Sequence, residues 1–226
     1  QKELKTLKHL KSLVGHPHVL SLMDVWQLGG YLVTRWEFSS EGSLEKRLEE
    51  YQDQGQPGIP IRQLLRYIYD AAQGIDFLNA RGFVHRDIKP SNLLLFFGRV
   101  KVGDLGLAKF VGASAASHTG AGTLGYLPPE AYEGRIGGTV DLYSLAATYV
   151  KLRTGREPFG DNPMEIVERQ KAGRPILEGL RPEEAALVRQ ALSPDPAARP
   201  QSTAVDWVRK VHQACLGPKQ AASRTQ

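Results

Sequence analysis

The stretch from Thr139 to Arg153 constrains this chain more than any other. Val140, Leu142, Tyr143, Leu145, Ala146, Ala147, Tyr149, Val150 and Leu152 make it apolar on most sides. A helix with that pattern has no solvated face and belongs in an interior. It carries one carboxylate, Asp141, which is costly to bury unless it is paired. One local partner is the helix's own N-terminus, as a cap beside Thr139.

The elements that would enclose such a helix can be read along the chain. Residues 2–14 carry Leu4, Leu7, Leu10 and Val14 at helical spacing, with Lys2, Lys5, Lys8 and Lys11 along one edge, and stop at Gly15-His16-Pro17. Val19 to Trp26 and Tyr31 to Trp36 read as two strands joined by Gly29-Gly30. A helix over 43–53 and a Gly/Pro loop lead into a long helix over 61–81, with Leu64, Leu65, Ile68, Ala71, Ala72, Ile75 and Leu78 on one face and Gly82 closing it. Leu93–Phe96 and Arg99–Val102 read as a hairpin around Phe97-Gly98, residues 112–122 as a Gly-rich mobile loop, and 163–171, 183–192 and 202–215 as helices. Pattern alone gives a mixed, mainly helical fold.

The chain has 226 residues and 41% hydrophobic content, enough for one globular core. One cysteine, Cys215, leaves no internal disulfide and fits a reducing, cytoplasmic setting. No apolar run reaches the length of a membrane span, and no signal peptide is visible. A net charge of +5 raises nucleic acid as a partner, but the cations are spread out without interleaved aromatics, so the lysine edge of residues 2–14 reads as a solvated helix face.

Residues 85–92 read His85-Arg86-Asp87-Ile88-Lys89-Pro90-Ser91-Asn92, and twelve residues after Asn92 comes Asp104-Leu105-Gly106. A carboxylate in a loop, such as Asp87, can orient and deprotonate an attacking alcohol. Lys89 lies two residues on and points the same way in extended backbone, where its ammonium can meet a moving phosphoryl group. Asn92 offers an amide oxygen and Asp104 a carboxylate, the hard oxygen donors of which magnesium takes one or two from protein. Phosphoryl transfer is mostly positioning plus charge stabilisation, and these are its parts.

His85 to Asn92 resembles the catalytic loop of eukaryotic-type serine/threonine protein kinases. Asp104-Leu105-Gly106 resembles their magnesium-binding Asp-Phe-Gly, with Leu replacing Phe, and Pro128-Pro129-Glu130 resembles a segment that follows it. The resemblance runs from residue 1 to about 216. It implies an α+β, two-lobed fold: residues 1–37 as a partial small lobe and hinge, 38–216 as a mainly helical large lobe, and 217–226 as a disordered tail or linker. It implies ATP and Mg2+ as cofactors and a protein Ser/Thr hydroxyl as acceptor, with Asp87 as base and Asn92 and Asp104 holding the metal. The His16-Pro17-His18-Val19-Leu20 run and the Ala/Arg/Gly-rich composition are similar to the bacterial branch.

Further roles follow from the same resemblance. Glu3 would pair with a strand lysine at the ATP phosphates. Leu22, Leu7, Leu105 and His85 would stack across the lobes, anchored by Asp141 gripping the backbone of the His85-Arg86 loop. Glu130 and Arg199 would form a bidentate pair. In the hinge, Thr34 would guard the back of the pocket, with Trp36 as its rival because the segment is longer than the family's. The backbone of Trp36 or Glu37 would bind adenine, over Leu94. Lys89, and Thr123 near Asp87, point to Ser/Thr rather than Tyr. Arg86 would bind a phosphorylated activation loop, with Thr119 foremost and Ser117 and Ser114 also candidates. Ser43 and Ser91 stand where arginine-directed members carry acids, so no such preference is expected.

One part of the family pattern is missing. No G-x-G-x-x-G in a strand–turn–strand setting, followed by Val-Ala-x-Lys, occurs in the chain. That part is expected upstream, and these residues alone are expected to be inactive. Two other readings stay open: a kinase-like scaffold, or a small-molecule phosphotransferase of the aminoglycoside or choline type. Lys89 and the Gly122–Glu130 segment weigh against the second.

Overall fold

The structure is a computed structural model that describes residues 15–29, 31–105, 109–110 and 124–217. Glu3, Leu7, Gly106, Ser114, Ser117, Thr119 and Thr123 lie outside the described residues, and with them the expectations placed on them.

Strands β1 (Leu22–Leu28) and β2 (Tyr31–Trp36) pair antiparallel, with Val25 opposite Thr34 and Leu28 opposite Tyr31. The first strand starts later than its hydropathy predicts because the residues before it serve another partner. Val19 bridges Val102, Leu20 N donates to Val102 O at 2.8 Å, and Val102 N donates to His18 O at 2.9 Å. The chain continues through α1 (Leu44–Asp53) and α2 (Ile61–Asn79) to the two-residue strand β3 (Phe83–Val84) and a 3-10 turn at Pro90–Asn92. The hairpin β4 (Leu93–Phe96) and β5 (Arg99–Val102) pairs Leu93 with Val102 and Phe96 with Arg99. Next come β6 (Lys109–Phe110), which pairs with β3, and the helices α3 (Pro129–Tyr132), α4 (Val140–Thr154), α5 (Pro163–Lys171), α6 (Pro182–Ala191) and α7 (Ala204–Leu216).

Helix α4 is the axle of the larger core, with every residue from Val140 to Val150 buried. Around it pack Leu64, Ile68 and Ile75 of α2 and Trp207 and Val211 of α7, each such side chain contributing about 1.5–3 kcal/mol. The helix stops at Gly155, whose φ of 74° is left-handed and whose missing Cβ would meet Pro57 O at 2.1 Å. Asp76 of α2 accepts from Ala204 N (2.8 Å) and Val205 N (3.0 Å), so one helix caps the start of another. A second, smaller core joins Val19, Leu22, Leu78, Phe83 and Leu105, with Trp36 packed against it. The result is an α+β fold with a helical body and a small sheet, meeting beside the β4–β5 hairpin.

The cap reading of Asp141 does not hold. Thr139 occupies the N-cap position without a side-chain capping bond, its hydroxyl accepting from Arg199 instead, and the Asp141 carboxylate is spent on His85 N and Arg86 N.

Candidate active site

The site is built where β3 runs out. His85 N and Arg86 N each donate to one Asp141 carboxylate oxygen at 2.9 Å, and Asp141 is fully buried. With its amide turned to face them, Asn79 donates to Asp141 Oδ2 (3.1 Å) and to Phe83 O (2.7 Å). Burial pushes the Asp141 carboxyl up, against the pull of the Arg86 and His85 N–H groups and of the Arg86 guanidinium. These contacts hold Arg86 at φ 69°, a left-handed conformation that costs a non-glycine residue about 1–3 kcal/mol. Burial pushes the Arg86 guanidinium down, with Asp141 opposing it.

From that fixed corner the functional side chains follow at short range. Asp87 N donates to His85 Nδ1 at 3.3 Å, so His85 carries its proton on Nε2 and donates it to Gly103 O at 2.8 Å. His85 thereby ties the Asp87 loop to the residue preceding Asp104. Asn92 Nδ2 donates to both Asp87 O and Asp87 Oδ2 at 2.8 Å, and Lys89 Nζ lies 3.0 Å from the same Oδ2. Among the described residues Oδ1 of Asp87 has no partner. Gly103 N donates to Asn92 O at 2.8 Å, which brings Asn92 against the turn that carries Asp104. Asp104 is exposed at φ 54°, the second strained residue of the site, while Leu105 beside it is buried in the smaller core with Leu22. Thr148 of α4 donates to Ile88 O at 3.3 Å and secures the loop from below.

The donor set suits magnesium. Asn92 has its nitrogen committed and its oxygen left over, and Asp104 has an exposed carboxylate. Among the described residues no three His, Cys, Asp or Glu side chains converge as a closed metal cage.

Glu130 and Arg199, which the family resemblance pairs, lie 69 residues apart in sequence and are joined by two bonds of 2.6 and 2.8 Å. Arg199 also donates to Ser193 O (2.8 Å) and lies over the Tyr143 ring at 4.9 Å, so the segment ending at α3 is tied to α4 and to the loop before α7.

The hinge expectations divide. Trp36, not Thr34, packs against the Leu22–Leu105 core; Thr34 faces Val25 in the ladder, and its hydroxyl accepts from Trp36 Nε1 at 3.1 Å. Glu37 cannot offer its N–H to a ligand, because that N–H donates to Ser21 O at 3.0 Å. The Glu37 side chain holds Lys101 of β5 at 2.6 and 2.7 Å, a tie between strands that sequence reasoning missed. Partial burial pushes the Glu37 carboxyl up, but the bonds from Lys101 and the Ser21 N–H outweigh it, and the group ionises below the usual range. Leu94 points away from the core that takes Leu93 and Leu95, and crowds the position of Gly103.

A strained loop carrying Asp87 and a strained turn carrying Asp104, joined through one histidine, stand at the seam between a helical body and a small sheet, the layout of a two-lobed fold. The chain belongs to the protein kinase domain family, whose model matches residues 1–210, and to its eukaryotic-type serine/threonine branch. It is 32% identical over 228 residues to the serine/threonine-protein kinase stk11 of Xenopus laevis, covering 94% of this chain and 50% of that protein. It is 33% identical over 156 residues to the receptor-like kinase TMK4 of Arabidopsis thaliana, covering 66% of this chain and 17% of that protein. It is 29% identical over 197 residues to the "Probable serine/threonine-protein kinase pknA2" of Bifidobacterium longum, covering 83% of this chain and 25% of that protein. The chain thus spans half or less of the length of these relatives. Among the described residues no helix is long and apolar enough to cross a membrane. The one literal G-x-G-x-x-G spacing, Gly120 to Gly125, leads into Pro128 and α3 rather than to a strand with a lysine.

Proposed function

We propose that this chain is the hydroxyl- and metal-binding part of a serine/threonine protein kinase, which transfers the γ-phosphoryl group of ATP to a Ser or Thr hydroxyl of a protein. The observation that carries the reading is the convergence of Lys89 and Asn92 on one oxygen of Asp87, which leaves the other oxygen to accept a proton. The substrate hydroxyl gives its proton to Asp87 Oδ1 as its oxygen bonds to the γ-phosphorus, and the bond to the β-phosphate oxygen breaks to release ADP. Lys89 stands beside Asp87 to meet the negative charge on the moving group. Magnesium held by Asn92 and Asp104 would neutralise phosphate charge. Trp36 closes the back of the adenine pocket, and Leu94 lies beneath the ring.

The reading divides the chain into a small-lobe and hinge part over 1–37, a large lobe over 38–216 and a tail or linker beyond. It leaves the grip on the ATP phosphates to Glu3 and to a lysine that these 226 residues do not contain. Arg86 takes a phosphate on the segment holding Ser117, Thr119 and Thr123, with Thr119 as the acceptor. The test is transfer of labelled phosphate by the complete protein, with the expected upstream glycine-rich loop and lysine, to generic protein substrates and to aminoglycosides in parallel. Labelled Ser and Thr in protein supports the proposal. Label on aminoglycoside alone, or on nothing, turns it toward a small-molecule phosphotransferase or a scaffold.

A further inference from the structure

On the side of the body formed by α2 and α7, a groove of about 1040 Å³ runs between the two helices and the β4–β5 turn. It shares no residue with the site around Asp87. Arg62 and Arg66 stand one turn apart on α2, so both guanidinium groups project from one face. Lys210 and Arg209 line the opposite wall from α7, and Arg99 closes the end. The lining holds two carboxylates, and both are already paired: Asp70 with Arg99 at 2.7 Å and Asp206 with Arg209 at 3.1 Å. Arg62, Arg66 and Lys210 are exposed and have no carboxylate partner among the described residues. The groove therefore presents three cations, without a carboxylate partner among the described residues, over the apolar side chains of Leu65 and Val208.

The turn that supplies Gly98 and Arg99 adds a second feature. Phe97 is 96% exposed and sits at φ 51°, a conformation disfavoured for a bulky residue. Glu41 holds it there by accepting from Phe97 N and from Gly98 N. The braced turn thus holds the Phe97 ring in water next in sequence to Gly98 and Arg99, which line the groove.

We infer that this groove docks an acidic protein segment, with carboxylates on Arg62, Arg66 and Lys210 and an apolar side chain against Phe97. Charge complementarity selects the partner. Residues 218–226 carry Lys219 and Arg224 and no acidic side chain, so they do not complement the groove. A concave floor between helices does not match a flat lipid surface. Docking needs no phosphoryl transfer and holds whether or not the chain is catalytically competent.

The experiment is fluorescence anisotropy of a fluorescein-labelled Glu-rich peptide with one central Leu, titrated with the full chain at low and physiological ionic strength. The expected result is saturable, salt-weakened binding that falls about tenfold or more in the Arg62→Glu/Arg66→Glu/Lys210→Glu variant, with melting unchanged. Phe97→Ser should weaken binding without altering its salt dependence. The control is Lys171→Glu/Arg174→Glu, which changes exposed cations outside the groove and should bind like the parent. Absence of binding, or equal weakening by the control, overturns the inference. So does full displacement of the peptide by an RNA oligonucleotide or anionic vesicles that bind more tightly than it does.

Discussion

Replacing Arg199 with Ala should be among the most damaging single changes outside the site itself. The Arg199 side chain is fully buried, and its partner Glu130 is nearly so. The substitution removes a two-bond carboxylate pair, a donor to Ser193 O and the contact with the Tyr143 ring in one step. What dominates is the charge left behind: Glu130 keeps a buried carboxylate with no cation, which costs about 3–5 kcal/mol. In a chain of this size that lowers the melting midpoint by roughly 6–20 °C. A thermal melt of the full chain, followed by circular dichroism, reads the loss. The cause is isolated by a double-mutant cycle with Glu130→Ala, in which the second substitution should cost about 2 kcal/mol less once the first is present. Arg199→Lys should fall between, since a lysine keeps the charge but not the paired geometry. A loss below about 1 kcal/mol, or strictly additive single effects, would refute the reasoning.

Asp141→Asn keeps the shape of the side chain but turns a donor toward one of the two N–H groups of His85 and Arg86, so it should cost about 1–3 kcal/mol and lower kcat further than stability alone explains. Melting and steady-state assays on the same preparation separate the two losses. Gly74→Ala would ordinarily favour a helix by about 1 kcal/mol, yet here the added Cβ would meet His18 O at 2.2 Å, so the variant should be destabilised; a rise in the melting midpoint would show that the approach of His18 to α2 is wrong.

The parts of this molecule that were legible are those whose signal is local. The 3.6-residue spacing of Leu64, Ile68 and Ile75 marks α2, the apolar circumference of residues 140–152 marks the buried α4, and the turn at Phe97-Gly98 marks the β4–β5 hairpin, which falls on the residues expected. The His85–Asn92 loop was legible because His85, Arg86, Asp87, Lys89 and Asn92 lie within eight residues. What escaped depends on distant partners. Asp70 breaks the apolar face of α2 in the way that Asp141 breaks that of α4, and that same signal marks it as a residue needing a partner. Its partners, Arg99 and the N–H of Val100, are 29 and 30 residues away. The β3–β6 pair is two residues long on each side, too short for any period to show. Trp36 was harder to place than the rest of β2 because sequence alone does not choose between it and Thr34; its packing on the core of Leu22 and Leu105 does.

The claim that matters most is that Asp87 takes the proton of a protein hydroxyl while Lys89 and Asn92 hold it in place. The most direct measurement is the rate of labelled phosphate transfer from ATP to protein Ser/Thr by the complete protein, with the expected upstream glycine-rich loop and lysine, compared with its Asp87→Asn variant. The two side chains are nearly the same size, and the site is otherwise fixed by Asp141 and His85. A fall in kcat of about 100-fold or more, with the melting midpoint held, is the predicted result. Full activity in Asp87→Asn would contradict it.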